Sequence, residues 1–116
     1  WGYKMANTFK SITSGSIGTT LTNVYTCPDS TTAIILGASM ANTDNNPIGG
    51  SIKLAKSGSS AGADDVFIVK AAPVPAGGTV EVMSGNKVVL QDEDVLQFQS
   101  DTAGSLDAIL SLLEIT

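Results

Sequence analysis

The sequence predicts an all-β protein, a single antiparallel β-sandwich of about eight strands in either a jelly-roll or an immunoglobulin-like order. Turn residues recur about every 8 to 12 positions, and the segments between them are rich in Val, Ile and Thr. A length of 116 residues allows one domain with one modest core. We expect an N-terminal arm or extension over residues 1–7 and the sandwich over residues 8–116.

The first half of the chain contains three candidate strands. Residues 19–27 alternate between apolar and polar side chains, as a half-buried strand does. In residues 31–43 the odd-numbered and the even-numbered positions both carry apolar side chains, which is typical of a strand that is covered on both faces. A turn is expected at 44–47, because its sequence is DNNP, and residues 48–57 follow as a strand whose inward side chains include Ile52.

The second half begins with a loop predicted over residues 57–65, which are rich in Gly and Ser. A strand follows at 66–72, and then come three short strands separated by SGN and DED, which are short enough for hairpins. The last segment, 105–115, fits two structures. Its leucines have helical spacing after a possible N-cap at Ser105, but the all-β context favours a final strand. The three short strands are residues 79–83, 87–91 and 95–100.

Gly77 and Gly78 raise the question of a phosphate-binding loop. Such a loop places its glycines at the start of a helix, whereas these precede the strand-like TVEV. Pro73 and Pro75 remove two amide donors and hold the preceding residues extended. We therefore expect an extended connection between sheets that ends in a glycine turn.

Composition and charge exclude several classes of function. The net charge is −5 with only 6 Lys and Arg, which disfavours binding to nucleic acid or to an anionic membrane. No apolar run approaches the roughly 18 residues that cross a bilayer. With 5% aromatic residues, the chain also lacks the row of rings expected of a carbohydrate-binding module.

No catalytic, cofactor-binding or metal-binding residues are predicted. The chain has no histidine, so Ser-His-Asp and Cys-His nucleophiles are excluded, and we expect no enzymatic activity. Its one cysteine, Cys27, is expected to be a buried apolar residue. The carboxylates do not match a calcium-loop spacing and are expected to be solvated at loop tips. They are Asp64, Asp65, Asp92, Glu93 and Asp94.

The N-terminal segment is the candidate for binding a partner. Trp1 and Tyr3 lie in the predicted arm, and with Phe9 they are expected to contact a neighbouring subunit. Met5 followed by Ala6 looks like an ordinary initiator, so Trp1–Lys4 are expected to be either an upstream extension or a remnant of cloning. No targeting signal is visible in this segment, which predicts synthesis in a cytoplasm.

Four stretches of the sequence carry a resemblance that covers nearly the whole chain from Ala6. They are MANTFKSI, VYTCPDSTTAIILGASMANT, DVFIVKAAPVPAGGTVEVMSGNKVVLQDEDVLQF and the terminal LLEIT. In this order they resemble small virion structural proteins of tailed bacteriophages. The chain departs from that pattern at Cys27, where an apolar residue is common, and at Glu93, which precedes Asp94 where the family often has glycine.

The resemblance implies a non-enzymatic virion protein without cofactors, assembled in the host bacterial cytoplasm. The implied function is capsid decoration, in which the protein binds, as a trimer, to the major capsid protein on the outer surface of the head. A tail-, baseplate- or fibre-associated structural protein is the alternative. Weak contacts suffice in either case, because many copies act together.

Overall fold

The computed structural model describes residues 7–56, 65–82 and 87–116. These residues form nine β-strands, and none of them forms a helix long and apolar enough to span a membrane. The predicted loop at 57–65 lies outside the described residues except for Asp65. The strands are β1 (Asn7–Ile17), β2 (Thr22–Thr26), β3 (Thr32–Asn42), β4 (Ile48–Ala55), β5 (Val66–Val74), β6 (Thr79–Glu81), β7 (Val88–Leu90), β8 (Val95–Ser100) and β9 (Leu106–Ile115).

The strands form two antiparallel sheets that pack face to face. Sheet A has the order β1-β9-β3-β6, and β7 pairs with β3 on the same side as β6. Sheet B has the order β2-β8-β4-β5. The predicted all-β sandwich is confirmed. Nine strands occur instead of about eight because β6 and β7 lie one after the other along β3 and together occupy a single strand position.

The strand order selects the jelly roll from the two sandwich orders that the sequence left open. The first strand pairs with the last, the second with the last but one, and β3 and β4 pair with strands from the middle of the chain. This nested pairing wraps four antiparallel strand pairs into two sheets, which is the jelly-roll arrangement. It places the first and last strands side by side, since Asn7 lies opposite Ile115.

The hairpins predicted at SGN and DED are wrong. β6 and β7 both pair with β3, whereas β7 and β8 belong to different sheets. The DED segment is a turn between the sheets, held by backbone hydrogen bonds that join Glu93 and Asp94 to Cys27. Glu93 has a φ of 68°, a left-handed conformation that favours glycine, the residue common there in the family that the sequence resembles.

The inner faces of the two sheets form one continuous core. In β9 the even-numbered residues are buried and the odd-numbered ones are more exposed, so this segment is a strand and the helical alternative is wrong. The two sheets approach closely at Gly50, where a Cβ atom would lie 2.7 Å from the Met40 sulfur. The largest fully buried apolar side chains are Phe98, Ile35, Met40, Ile52, Leu90, Leu96, Leu106, Leu110, Leu112 and Val74.

The glycine corner is confirmed. Gly77 has a φ of 67°, and the Gly78 amide donates a hydrogen bond of 2.9 Å to the Pro75 carbonyl, which closes a turn. The chain passes here from β5 in sheet B to β6 in sheet A. Pro73 belongs to β5, where it lies opposite Gly49 at the edge of sheet B. A proline is tolerated at an edge because its missing N–H can face away from the ladder.

Candidate interaction surface

Four apolar side chains form a row across the outer face of sheet A. Phe9 of β1 lies opposite Leu113 of β9. Leu113 also lies opposite Ile34 of β3, and Ile34 lies opposite Val89 of β7. We call these four residues the apolar row. Its ends are the most open, since Phe9 is 74% exposed and Val89 is 52% exposed.

Further apolar side chains lie on the same face. Leu36, at the β3 bulge, and Ile109 of β9 are exposed. Small hydroxyl residues also lie on this face. For example, Ser11 lies opposite Ser111, two positions along the strands from the pair of Phe9 and Leu113. The face is therefore a mixture of exposed aliphatic groups and short polar ones, without a lysine in its centre. Exposed apolar side chains grouped on one face are typical of a surface that contacts protein.

The two carboxylates at the margin of this face are hydrogen-bonded to the sheet itself. Glu81 accepts hydrogen bonds from the Ser39 hydroxyl at 2.7 Å and from the Ala38 amide at 3.2 Å. Asp107 accepts one from the Ser16 amide at 3.0 Å. The apolar centre consequently has a polar rim, as protein interfaces have.

Only one of the two faces of β3 is covered by other residues of the described chain. The apolar pattern at both alternating positions predicts a strand covered on both sides, and this is wrong for the described residues of a single protomer. Ala33, Ile35 and Met40 are fully buried against sheet B, whereas Ile34 is only half-buried and Leu36 is exposed. Within the described part of the chain, no other residues cover the second face.

The outer face of sheet B has a different character. Its corresponding row contains Asn23, Gln97, Lys53 and Phe67, which lie opposite one another in that order. The Gln97 amide donates a hydrogen bond of 2.8 Å to Asn23. The Lys53 and Lys70 ammonium groups lie 5.6 and 5.0 Å from the centre of the Phe67 ring. The polar groups of this row are satisfied by their own neighbours.

Of the three aromatic residues predicted to bind a partner, the structure places one. Phe9 lies on the outer face of sheet A and begins the apolar row. Trp1 and Tyr3 lie outside the described residues. The sequence did not identify the other members of the row. The apolar residues at outward positions of β3 and β9 were a signal for them, but only the register shows that they align.

A charged cluster joins the two sheets at the rim of the sandwich. Glu114 of sheet A is buried, accepts a hydrogen bond of 2.5 Å from the Tyr25 hydroxyl of sheet B, and forms an ion pair of 3.0 Å with Lys10. The hydrogen bond from Tyr25, together with Lys10, holds the pKa of the Glu114 carboxyl below its usual range. Burial and the nearby carboxylate raise the pKa of Tyr25, so Tyr25 remains a neutral donor.

Cys27 is fully buried, as predicted, and its thiol donates a hydrogen bond to the Thr31 carbonyl at 3.3 Å. Burial raises the pKa of the thiol, which opposes formation of a reactive thiolate.

Asp94 contradicts the expectation of a solvated loop tip. Its side chain is 1% exposed and binds Lys56 at 2.7 Å, and it also accepts a hydrogen bond from the Gln91 amide.

The depressions of the described surface are shallow. One of about 240 Å³ lies on the outer side of sheet B, and Asp101 is the one ionisable residue that lines it. General acid–base chemistry needs a positioned acid or base together with its partner, and this lining does not supply such a pair. Across residues 7–56, 65–82 and 87–116, no three carboxylates or cysteines come together as a metal site would require.

Comparison with known proteins places the fold but not a family. No family model matches the chain, and no curated protein matches it. A solved structure from Bacillus, described as endospore appendages that form a novel family of disulfide-linked pili, covers 97% of this chain and 88% of its own, with 13% identity and a TM-score of 0.57. A structure of infectious bursal disease virus, Gt strain, covers 97% of this chain and 42% of its own at 11% identity, and its TM-score of 0.21 carries no argument. The chain is thus similar in overall fold to a pilus protein.

Proposed function

We propose that the protein is a non-enzymatic structural subunit that binds neighbouring protein subunits through the outer face of sheet A. The observation that carries this proposal is the apolar row. Leu113 and Ile34 form its half-buried centre, and Phe9 and Val89 form its exposed ends. Burying apolar surface of this kind against a partner lowers the free energy by about 25 cal/mol per Å². A monomer that leaves this surface in water does not gain that free energy.

The specific form we propose is capsid decoration. In this function the outer face of sheet A would bind the major capsid protein on the outer surface of a tailed-phage head and stabilise contacts between capsid subunits. The resemblance of the sequence to small virion proteins supports this form. A rigid sandwich with one apolar face also suits it, because many identical weak contacts on a symmetric shell sum to firm attachment. The trimer that the resemblance implies stays a prediction.

The first experiment determines where the protein lies and how many copies a particle holds. Purified virions are analysed by quantitative mass spectrometry and by cryo-electron microscopy. Decoration predicts many copies on the head in a fixed ratio to the major capsid protein. A few copies along the tail would contradict decoration, and absence from the particle would contradict a virion role altogether.

A matched pair of variants tests the surface itself. Val89 on sheet A and Val66 on sheet B are almost equally exposed, at 52% and 53%. We expect Val89→Ser to weaken binding of the purified protein to heads that lack it, by roughly 5- to 30-fold for a loss of about 1–2 kcal/mol. Val66→Ser should leave binding unchanged. Equal effects of the two substitutions would show that the outer face of sheet A is not the binding surface.

A tail-, baseplate- or fibre-associated subunit is the second candidate. The observation that favours it is the fold shared with a protein described as forming pili, since a filament is built from repeated lateral and axial contacts. The disulfide links described for that protein have no counterpart in the described residues here, because the one cysteine, Cys27, is fully buried. The position of the protein in the particle separates the two candidates.

A further inference from the structure

The four free edges of the two sheets differ in how well they are protected against pairing with another chain. An open edge strand offers a row of unpaired N–H and C=O groups, and proteins block such edges with short strands, bulges, prolines and charges. At the far edge of sheet A, β6 and β7 have three residues each. At one edge of sheet B, β2 has five residues and a bulge. These edges are poor templates for a further strand.

The other edge of sheet B is also blocked. The register of β5 shifts twice against β4, and Ala71 has a left-handed φ of 55°. Pro73 removes one amide donor from β5, and Lys70 of the same strand adds a charge. A partner strand could not follow β5 over more than a few residues without meeting one of these features.

β1 has none of these protections over its first eight residues. From Asn7 to Ser14 it pairs with β9 in eight consecutive positions without a shift, and the bulge comes only after Ser14. Asn7 to Ser11 are all exposed, and within the described residues β1 pairs with no strand other than β9. β1 is therefore the one long, regular and open edge among the described strands.

The charged residue that would ordinarily discourage strand pairing at this edge forms an ion pair within its own protomer. Lys10 is the one charged residue in the described part of β1, and inward-pointing lysines at an edge normally discourage pairing. Here the Lys10 ammonium group lies 3.0 Å from the buried Glu114 carboxylate. The lysine is thus paired within its own protomer, which reduces but does not remove the charge that it presents to an approaching strand, since its side chain is 44% exposed.

From these observations we infer that β1 pairs with β1 of a second copy of this chain, antiparallel and about a two-fold axis, so that the two A sheets become one continuous sheet. The register that we infer places Phe9 opposite Phe9 of the second copy. Directly opposed residues of antiparallel strands lie on the same face, within contact distance. The apolar row of one protomer then continues into that of the other, and eight apolar side chains cross the joined sheet.

Charge supports this register over its nearest alternative. With Phe9 on the axis, Lys10 lies opposite Thr8 of the second copy, and Asn7 lies opposite Ser11. A shift that places Lys10 on the axis would oppose two lysines directly, which is unfavourable.

The contact is isologous, so it makes a closed pair, whereas a three-fold ring would require β1 to pair with a different and equally open edge. The inference does not depend on the proposed function, because it concerns an edge and leaves the outer face of sheet A free.

Cysteine substitutions test both the pairing and its register. The native Cys27 is fully buried, so an introduced cysteine is the exposed thiol of the described residues. Phe9→Cys places two thiols opposite each other at the axis, and we expect a covalent dimer under mild oxidation. Thr13→Cys is the control on the same strand and face, and in this register it does not lie opposite itself. Equal cross-linking of the two variants, or none of either, would overturn the inference.

Sedimentation equilibrium provides the second measurement. We expect the mass of the unchanged protein to rise with concentration towards two protomers. Phe9→Lys should abolish this rise by opposing two lysines at the axis, whereas Val89→Lys, at the far end of the row, should not. A monomer up to about 1 mM, the weak end of specific association, would contradict the inference. A trimer, which is the state that the family resemblance implies, would contradict it, and so would an unchanged dimer in Phe9→Lys. Phe9 is exposed, and circular dichroism checks that the variant is folded.

Discussion

The outer face of sheet A presents Phe9, Leu113, Ile34 and Val89 in one row, whereas the corresponding row of sheet B presents Asn23, Gln97, Lys53 and Phe67. Both rows cross four strands of a similar sheet. In sheet B the amides bind each other and the lysines lie over the ring, so the row is satisfied in water. In sheet A the row has no polar group to hydrate. We expect this difference if the outer face of sheet A contacts protein and the outer face of sheet B contacts water.

The largest effect expected from this comparison separates the two sides of β9. Leu112 is 1% exposed on the inner face, whereas its neighbour Leu113 is only half-buried on the outer face. We expect Leu112→Ala to lower the free energy of unfolding by about 2–5 kcal/mol, and Leu113→Ala by about 1 kcal/mol or less. Urea denaturation of the dilute protein measures both. Equal losses would mean that a cover on sheet A is present in the protomer itself.

A smaller effect is expected at the charged cluster that joins the two sheets. Glu114→Gln should lower the free energy of unfolding at neutral pH by about 1–3 kcal/mol, because it removes a charge-assisted hydrogen bond from Tyr25 and the ion pair with Lys10. Thermal unfolding followed by circular dichroism measures the change. Ser111→Ala on the same strand, which alters an exposed side chain, is the control and should have almost no effect.

The same cluster predicts a pH dependence with a definite sign. The pKa of Glu114 is lower in the folded protein than its ordinary value of 4.5, so the folded state favours the ionised carboxylate. This stabilisation is fully present above that ordinary value and is lost as the pH falls through the folded pKa. We expect the unchanged protein to lose stability below about pH 4.5, and Glu114→Gln to lose less over the same interval. Parallel pH curves for the two proteins would contradict this assignment.

The smallest effect is expected on sheet B. Phe67→Leu removes the ring beneath Lys53 and Lys70 but keeps an apolar side chain at the edge. Exposed cation–π contacts contribute about 0.5–1 kcal/mol, and the free energy of unfolding should fall by no more than this. Urea denaturation measures it, and the sedimentation behaviour should not change. A change in association would show that sheet B also takes part in contacts between copies.

The inner side of the sandwich was largely accessible from the sequence. Strands were predicted at 48–57 and 95–100, where Ile52 is buried as expected and the even-numbered residues of β8 are buried, and Cys27 was correctly placed in the core. The corner at Gly77 followed from the conformational freedom of glycine and from the two prolines before it. These features depend on interactions within a few residues along the chain, which is why local patterns predict them.

The separators SGN and DED show where local patterns fail. Short polar separators favour hairpins, but β7 and β8 enter different sheets because β7 pairs with β3, more than fifty positions earlier. The buried side chain of Asp94 was missed for the same reason, since its cation, Lys56, lies just after β4 and 38 positions away in the sequence. Neither partner is visible from the residues that surround the turn.

The sequence by itself determined the strand class, the burial of single residues such as Ile52 and Cys27, and the absence of histidine chemistry. Only the tertiary structure decided that Phe9 and Leu113, near opposite ends of the chain, lie side by side, and that β1 forms an edge. The physical reason is that alternation has a period of two residues and fixes which face a side chain takes, whereas the register between strands is set by long-range pairing and by the packing of both sheets. A surface made of one residue from each of four strands exists only after that pairing.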